Sequence, residues 1–238
     1  QTNMKIQKRM RKFSMRQIRT EGIVLRVKNR NESDRLLTVL SPDLGKILIL
    51  ARGARKPKNR FLTYSQLFCH GEIMLLPYRE IYILNQTDVK NTFFDIRGDL
   101  DRLYSATYIV NLAEAIATAG ENNLPLFTLL LYGLSHLSYG DCLPLDITLL
   151  TEIKILQISG FQPAILVKET GKFLDGGIPV DDDTASIIQA VLDSDLGQTY
   201  KMPLSSNVRK DLNKVLPAYI QQKLELQIQS RSYLDLFS

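Results

Sequence analysis

Tryptophan is absent from this 238-residue chain, and cysteine and histidine occur only twice each. Cys69 and Cys142 lie far apart in sequence, and with His70 and His136 they show none of the ligand spacings of a zinc site. The sequence leaves open whether the two cysteines form a disulfide, although two lone thiols are the commoner outcome in a cytosolic protein. This scarcity predicts a protein without a bound metal, cofactor or catalytic triad.

Glycine-containing motifs for nucleotide binding and for nucleophilic catalysis are also missing. The chain has no Gly-x-x-x-x-Gly-Lys-Ser/Thr loop, no Gly-x-Gly-x-x-Gly turn and no Gly-x-Ser-x-Gly motif. The run Asp181–Asp183 could hold a metal ion, but three successive side chains point in different directions, and acids before a helix favour its N-terminal dipole. We therefore expect no enzymatic activity, with a metal-dependent nuclease acting through these aspartates as the alternative.

Long hydrophobic runs are the third absence. No apolar stretch approaches the roughly 20 residues that span a bilayer, and no apolar segment follows the charged N-terminal residues as in a secretory signal. Hydrophobic residues still make up 45% of the chain, which is typical of a globular protein with one large domain or two small ones. We expect a cytoplasmic protein with no membrane partner.

Positive charge is concentrated at one end of the chain. Residues 1–65 contain 17 Lys and Arg against 4 Asp and Glu, a net charge of +13, whereas the remaining residues contain 13 against 21, a net charge of −8. Such a split predicts a surface that faces a polyanion. No apolar-faced basic helix accompanies the charge, so nucleic acid is favoured over a membrane surface.

The densest positive charge follows an apolar strand, between Lys46 and Phe61. Six cations and no acid occupy this segment: Lys46, Arg52, Arg55, Lys56, Lys58 and Arg60. Lysine and arginine displace counterions from phosphates, so a basic loop at a strand end is a natural contact for nucleic acid. The alternative is a solvated turn whose charges only keep the protein soluble.

From Gln17 to about Val89, the chain has the alternating pattern of β-strands. The sequence Ser41-Pro42-Asp43-Leu44-Gly45 is a turn, and Lys46–Ala51 follows it as a strand. Five strands with little helix between them predict a small closed barrel, of which the oligonucleotide-binding OB-fold is the best-known five-stranded case. We assign this domain to residues 15–92 and a basic arm to residues 1–14.

Beyond Asp95 the apolar spacing becomes helical. Asp99 can cap the first helix, and Gly160 suits the position after the third. Further helices are predicted at Leu126–Ser138, Asp146–Ser159, Thr184–Leu192 with Asp183 as cap, and Ser206–Gln229 with a kink or break at Pro217. The fold class is therefore α+β, with the barrel followed by an all-α domain at residues 93–238 that contains an irregular loop at residues 161–183.

Several further cations lie on or near the first two strands and can extend one cationic groove. Aromatic residues near the loop and the last hairpin, among them Tyr64, Tyr78 and Tyr82, can stack on bases, whereas Phe61 and Phe68 suit the core. The predicted nucleic-acid-binding residues are Arg16, Arg19, Arg26, Lys28, Arg30, Arg35, Lys46, Arg52, Arg55, Lys56, Lys58, Arg60 and Tyr64.

The first domain contains, in this order, Glu21-Gly22-Ile23-Val24-Leu25, Glu32-Ser33-Asp34-Arg35-Leu36-Leu37-Thr38, Gly45-Lys46, and Ala51-Arg52-Gly53-Ala54-Arg55-Lys56 with Arg60. The order and spacing of these motifs resemble the RecO family of bacterial DNA repair and recombination mediator proteins. Weaker matches follow at Gly160-Phe161-Gln162-Pro163, Phe173, Gly176-Gly177 and Ser230-Arg231-Ser232-Tyr233-Leu234. The resemblance covers nearly the whole chain from Met15.

The resemblance implies an N-terminal OB-fold, a helical C-terminal domain and a role without enzymatic activity. It implies binding to single- and double-stranded DNA, annealing of single strands, and action with RecR and the single-strand DNA-binding protein to let RecA load onto coated strands. The expected location is the nucleoid in the cytoplasm. The charge pattern alone fits an RNA-binding OB-fold protein equally well, and that alternative stays open.

One departure from the family concerns zinc. Many members carry two Cys-x-x-Cys pairs after the Gly-Phe/Tyr-x-Pro element. Here Ala164–Lys168 and Ile178–Asp181 stand in those regions and contain no cysteine. We expect no zinc and a plain loop in this part of the chain.

Overall fold

The computed structural model describes residues 17–236. Five strands form a closed barrel in the order β1-β2-β3-β5-β4, which is the order of an OB-fold and confirms the predicted barrel. The strand β3 pairs with β5 in parallel, and the other neighbours are antiparallel. The strands are β1 Ile18–Arg30, β2 Asp34–Ser41, β3 Gly45–Ala51, β4 His70–Tyr78 and β5 Ile81–Asn91.

Every second side chain along the strands points into the interior of the barrel. Leu37 and Val39 on β2 and Ile49 on β3 are fully buried in this core. The basic segment at residues 52–69 is a series of turns, and its Phe61 and Tyr64 pack into the same core. The loop therefore closes one end of the barrel, which fixes its backbone while its charged side chains stay outside.

The second part of the chain is mainly helical, as predicted. Asp99 caps the first helix by accepting a hydrogen bond from the backbone N–H of Arg102, and Gly160 has a positive φ of 79° after the third helix. The helices are α1 Leu100–Ile116, α2 Leu124–Tyr139, α3 Pro144–Ile158, α4 Asp182–Asp193, the single turn α5 Leu196–Thr199, and α6 Ser206–Leu224, with 3-10 segments at Phe94–Gly98 and Gln229–Leu236.

Two details of the helix predictions are corrected. The cap of α4 is Asp181 rather than Asp183, because the Asp181 carboxylate accepts a hydrogen bond from the backbone N–H of Thr184. The helix α6 continues through Pro217 and ends at Leu224, five residues before the predicted end. Pro217 follows nearly three turns of helix, and buried neighbours such as Leu216 and Tyr219 hold both sides of it against the core.

The outer wall of the barrel contributes to the hydrophobic core of the helices, which is separate from the core inside the barrel. Ile23, Leu25 and Leu40 point outward from the barrel and are buried against the helices. The turn between β2 and β3 docks on the segment after α1, where the Lys46 backbone N–H donates to the carbonyl of Thr118 over 2.9 Å. Gly45 has a φ of +68°, and a Cβ there would lie 2.3 Å from that carbonyl oxygen. This contact fixes the barrel face relative to α1.

The segment predicted to be an irregular loop is a small antiparallel sheet. Its strands are β6 Ile165–Lys168, β7 Gly171–Leu174 and β8 Pro179–Val180, in that order. The run Ile165-Leu166-Val167 favours extended backbone, and Gly171 supplies the positive φ of the tight turn. The strands were missed because β6 and β7 have only four residues and β8 only two, at or below the shortest pattern by which a strand is recognised.

A single carboxylate, that of Asp175, joins this sheet to α6. It accepts hydrogen bonds from the hydroxyl of Tyr219 at 2.5 Å, the ammonium of Lys223 at 2.7 Å and the backbone N–H of Ala164 at 3.0 Å. Burial alone would raise the pKa of Asp175, but these donors outweigh it and lower the pKa to about 2.

We expect the substitution Asp175→Asn to lower the free energy of unfolding at neutral pH by about 1–2 kcal/mol, the range for hydrogen bonds to a charged group under partial solvent screening. A depressed pKa stabilises the fold above the ordinary aspartate pKa of about 4 and ceases to do so as the pH falls toward 2. In urea denaturation, the difference between wild type and variant should therefore shrink between about pH 6 and about pH 2.5. A difference that stays constant over this range would contradict the ionised clamp.

A buried polar cluster fixes the C-terminal segment. The carboxylate of Glu152 on α3 is fully buried and accepts hydrogen bonds from the guanidinium of Arg231 at 2.7 Å and the hydroxyl of Tyr108 at 2.5 Å. Arg231, itself only 8% exposed, also donates to the side chain of Asn213 on α6. The chain end is thus tied to three helices around the side of the core that meets the barrel.

Candidate nucleic-acid interface

The outer face of β1, β2 and β3 forms a continuous surface of aligned rows. In one row Arg26 of β1 lies opposite Thr38 of β2, which lies opposite Leu48 of β3. The next row toward the basic loop contains Lys28, Leu36 and Leu50. These side chains point away from the barrel interior because they alternate with its core residues. We call this surface the outer sheet face.

A cleft of about 630 Å³ lies at the loop end of the outer sheet face. Arg30 of β1, Arg52 of the basic loop and Arg79 of the β4–β5 turn converge on it, with Leu50 beneath them. Tyr78 lines the same cleft and is 41% exposed, and the Arg79 guanidinium lies 5.6 Å from its ring centre. We call this site, defined by the three arginines and Tyr78, the cationic cleft.

None of the three arginines forms an ion pair within residues 17–236. Among the described residues, Glu80 is the acid that lines the cleft. Besides its hydrogen bond from Gly53, the nearby charges of Arg52 and Arg30 also lower the pKa of Asp34, which does not line the cleft. Because Arg30 and Arg52 are exposed and Arg79 stands at a hairpin tip, their donors face solvent. The cleft can therefore accept an anion without first breaking an internal salt bridge.

The position of Arg52 is set by Asp34, the first residue of β2. The Asp34 carboxylate accepts a hydrogen bond from the backbone N–H of Gly53 at 2.8 Å, and this contact is the main cause that lowers the pKa of Asp34. Gly53 has a φ of +67°, which starts the turn directly after Arg52. Arg55 ties the same loop to the β1–β2 turn, donating to the carbonyl of Asn31 over 2.7 Å.

The other cations of the loop do not line the cleft. Lys56 and Lys58 are exposed, and their ammonium groups have no partner in the described part of the chain. The guanidinium of Arg60 lies over the ring of Phe61 at 4.7 Å. Together with Arg55 they add positive charge to the loop, which can raise the local concentration of a polyanion.

Arg19 lies on a different part of the barrel wall. Its guanidinium is bound to Glu72 on β4, and Lys90 on β5 bridges Glu72 and Glu21 at 2.9 and 2.7 Å. The hydrogen bonds from Arg19 and Lys90 lower the pKa of Glu72. The structure therefore separates Arg19 from the cationic cleft.

Three other predicted cations already have protein partners. Arg26 forms an ion pair with Glu114 on α1 at 2.9 Å, and the Lys46 ammonium donates to the Glu114 carbonyl at 2.8 Å. Arg35 has the inward orientation of Leu37 and donates to the Ser65 carbonyl beneath the basic loop at 2.9 Å. Strand alternation alone could have placed Arg35 inside, so that signal was available in the sequence.

Tyr64 is a correction to the predicted site. It is 0% exposed, and its hydroxyl donates to the carbonyl of Gly22 inside the barrel at 3.2 Å. Burial also raises its pKa well above the ordinary value. A ring in this position cannot stack on a base. Arg16 and the basic arm at residues 1–14 lie outside the described residues.

Arg79 lines the cleft but was not among the predicted site residues. It lies in the turn between β4 and β5, one of the two loops that flank the ligand face of an OB-fold. The signal was a cation beside an aromatic residue at the tip of a hairpin, Pro77-Tyr78-Arg79-Glu80. Only the folded barrel brings this tip next to Arg52, which is 27 positions earlier.

In the run Asp181–Asp183, the first two side chains have structural roles. Asp181 caps α4, and Asp182 forms an ion pair with Lys172 on β7 at 3.0 Å. Within residues 17–236, no group of three or more His, Cys, Asp or Glu side chains is arranged to hold a metal ion. None of the helices in the described part of the chain combines the length and apolar character needed to cross a membrane.

Comparison with known proteins gives consistent matches over most of the chain. Residues 15–93 match the family model of the Recombination protein O N terminal domain, and residues 97–167 match that of the C terminal domain. The DNA repair protein RecO of Desulforamulus reducens is 31% identical over 246 residues, covering 93% of this chain and 95% of that protein. The DNA repair protein RecO of Acetivibrio thermocellus is 29% identical over 234 residues, covering 89% and 93%.

Proposed function

The chain belongs to the RecO family of DNA repair proteins, and we propose that it binds single-stranded DNA through the cationic cleft. The observation that carries this proposal is the convergence of Arg30, Arg52 and Arg79 beside the exposed ring of Tyr78. The cleft lies on the β2–β3 side of the barrel between the β1–β2 and β4–β5 turns, where OB-folds bind oligonucleotides. The charge asymmetry of the chain agrees with a polyanionic ligand.

The chemistry of the cleft suits the backbone of a single strand. A guanidinium group donates two parallel hydrogen bonds to a phosphate, and each contact releases counterions from the nucleic acid. Tyr78 offers a ring face on which any base can stack. Contacts of these two kinds do not depend on base identity, so binding is proposed to be independent of sequence.

The proposal extends to the biological role. A protein that neutralises phosphates lowers the repulsion between two complementary strands, which favours annealing. We propose that the protein acts without enzymatic activity as a recombination mediator in the cytoplasm, also contacting double-stranded DNA. Its proposed partners are RecR and the single-strand DNA-binding protein, and the proposed result is RecA loading onto coated strands.

The direct test compares matched oligonucleotides by fluorescence anisotropy. Single-stranded DNA should bind more tightly than an RNA of the same sequence, and complementary strands coated with the single-strand DNA-binding protein should anneal faster when the protein is added. A clear preference for RNA would favour the RNA-binding alternative. Cleavage of the DNA in Mg²⁺ or Mn²⁺ would contradict the role without enzymatic activity.

We expect Tyr78→Ala to weaken binding of single-stranded DNA by about 5- to 150-fold, because one stacked base contributes about 1–3 kcal/mol. Tyr132 on α2 is also 41% exposed and lies away from the barrel face, so Tyr132→Ala is a matched control. Anisotropy titrations of both variants at one salt concentration give the comparison. Equal affinities for the two variants would show that Tyr78 does not stack on a base.

A further inference from the structure

The cationic cleft continues into a second and larger cavity between the barrel and the helices. This cavity, of about 870 Å³, lies against the next row of the outer sheet face and is walled by α1 and by the segment before and within the C-terminal 3-10 helix. Leu50 lines the cleft, and Leu48, two residues earlier on the same face of β3, lines the cavity. Glu80 borders both. We call this cavity the interdomain groove.

The interdomain groove is poorly suited to phosphate. Its cations, Arg26 and Lys46, are bound to the carboxylate and the carbonyl of Glu114. Asp43 and Glu80 add two further acids to its lining. A phosphate in the groove would have to displace Glu114 and would meet repulsion from the other carboxylates, whereas the cationic cleft imposes neither cost.

The groove instead offers the chemistry that recognises bases. Leu48 is 41% exposed although it stands in the middle of a central strand, which leaves an apolar surface for the face of a base. Gln227 and Gln229 line the opposite wall and are exposed, and within residues 17–236 their side-chain amides have no hydrogen-bond partner. Each amide presents one donor and one acceptor side, which matches the polar edges of nucleobases.

We propose that the interdomain groove holds unpaired nucleobases of a DNA strand whose phosphates lie on the cationic cleft. This inference rests on the proposed function of the cleft and extends it to the helical domain. Bases within a duplex have their edges paired and their faces stacked, so only a single strand can place them between Leu48 and the two glutamines. The groove therefore supplies preference for single strands, and the cleft supplies affinity for the backbone.

The test uses the full chain and single-stranded thymidine oligonucleotides of about 12 nucleotides, within the site size of an OB-fold. A block of abasic residues is moved along the strand, which removes bases and keeps every phosphate. For the wild-type protein, one position of the block should weaken binding by about fivefold or more. In the variant Gln227→Ala/Gln229→Ala, and separately in Leu48→Ser, the same block should weaken binding much less.

Two controls separate base contacts from other effects. Leu166 on β6 is 43% exposed, so Leu166→Ser is a matched substitution outside the groove and should leave the abasic effect unchanged. The groove variants should retain the wild-type dependence of affinity on salt, because they lose no phosphate contact.

The inference is overturned if all abasic positions bind equally well, or if the groove variants respond to the block as the wild type does. It is also overturned if those variants lose affinity by the same factor, relative to the wild type, for intact and for abasic strands, since the lost contact would then be to the backbone. Failure of the proposed function is a different result, in which loss of the three cleft arginines leaves the affinity of intact strands unchanged.

Discussion

Replacing Arg30, Arg52 and Arg79 together by alanine should lower the affinity for single-stranded DNA by about 100-fold or more at moderate salt. A hydrogen bond to a charged group contributes about 1.5–3 kcal/mol, and three such contacts exceed the roughly 2.7 kcal/mol of a 100-fold change even when they are not fully additive. All three side chains are at the surface and without ion pairs in the described chain, so the fold should be retained. Anisotropy gives the affinity, and circular dichroism verifies folding.

A matched control variant removes three positive charges from the helical part of the protein. Lys201, Lys210 and Lys214 are exposed on the helical side, and none of them has an ion-pair partner between residues 17 and 236. Their triple alanine variant changes the net charge by the same amount, so it reports the general electrostatic effect alone. It should lose much less affinity than the cleft variant. Equal losses would mean that the protein attracts DNA by its overall charge and has no defined cleft contact.

Replacing Arg231 by alanine should lower the free energy of unfolding by about 3–5 kcal/mol, because it leaves the buried carboxylate of Glu152 without its cation. A loss of this size is a large share of the stability of an ordinary domain. Urea denaturation followed by circular dichroism measures the change. The exposed Lys214 on α6 provides a control, and Lys214→Ala should change the stability by no more than about 0.5 kcal/mol.

A double variant separates the buried charge from simple loss of packing. In Glu152→Gln/Arg231→Met both charges are removed while most of the side-chain volume is kept, so much of the lost stability should return. If the double variant is as unstable as Arg231→Ala, the packing of the long side chain is what matters. If Arg231→Ala itself costs less than about 1 kcal/mol, the cluster does not hold the C-terminal segment.

The barrel was predictable because its strands are marked by short local patterns. Ile23 stands in an alternating segment, Val39 and Ile49 stand in short apolar runs, and Pro42 and Gly45 marked the turn between β2 and β3. In the helical part, Asp99 and Gly160 act locally as cap and terminator, so their roles could be predicted from neighbouring residues alone.

The wrong predictions concern parts of the chain whose structure depends on contacts with residues far away in the sequence. Tyr64 was assigned to the surface because it follows a basic loop, but that loop folds back and fills the end of the barrel. The sheet β6–β8 was missed because its short strands are held by Asp175 and by α6, which lies about 30 or more residues farther along the chain. For strands this short, intrinsic β-propensity has less influence on the structure than tertiary contacts.

Which of the cations are unpaired could be determined only from the folded structure. Arg19 pairs with Glu72, 53 residues away, and Arg26 pairs with Glu114, 88 residues away, so composition alone could not distinguish them from Arg30 and Arg52. The first domain has an excess of positive charge, but some of its cations form ion pairs within the barrel wall and with helix α1. The unpaired remainder gathers where the β1–β2 turn, the basic loop and the β4–β5 turn meet.

If the cleft arginines bind phosphates, their removal must change how the affinity for single-stranded DNA depends on salt. For a single strand, the slope of log K against log salt is about −0.7 for each phosphate neutralised. Between about 50 and 200 mM salt, the variant lacking Arg30, Arg52 and Arg79 should therefore have a slope smaller in magnitude than that of the wild type by about 2. A variant with weaker binding and an unchanged slope would show that these arginines do not contact phosphates, which would contradict the account.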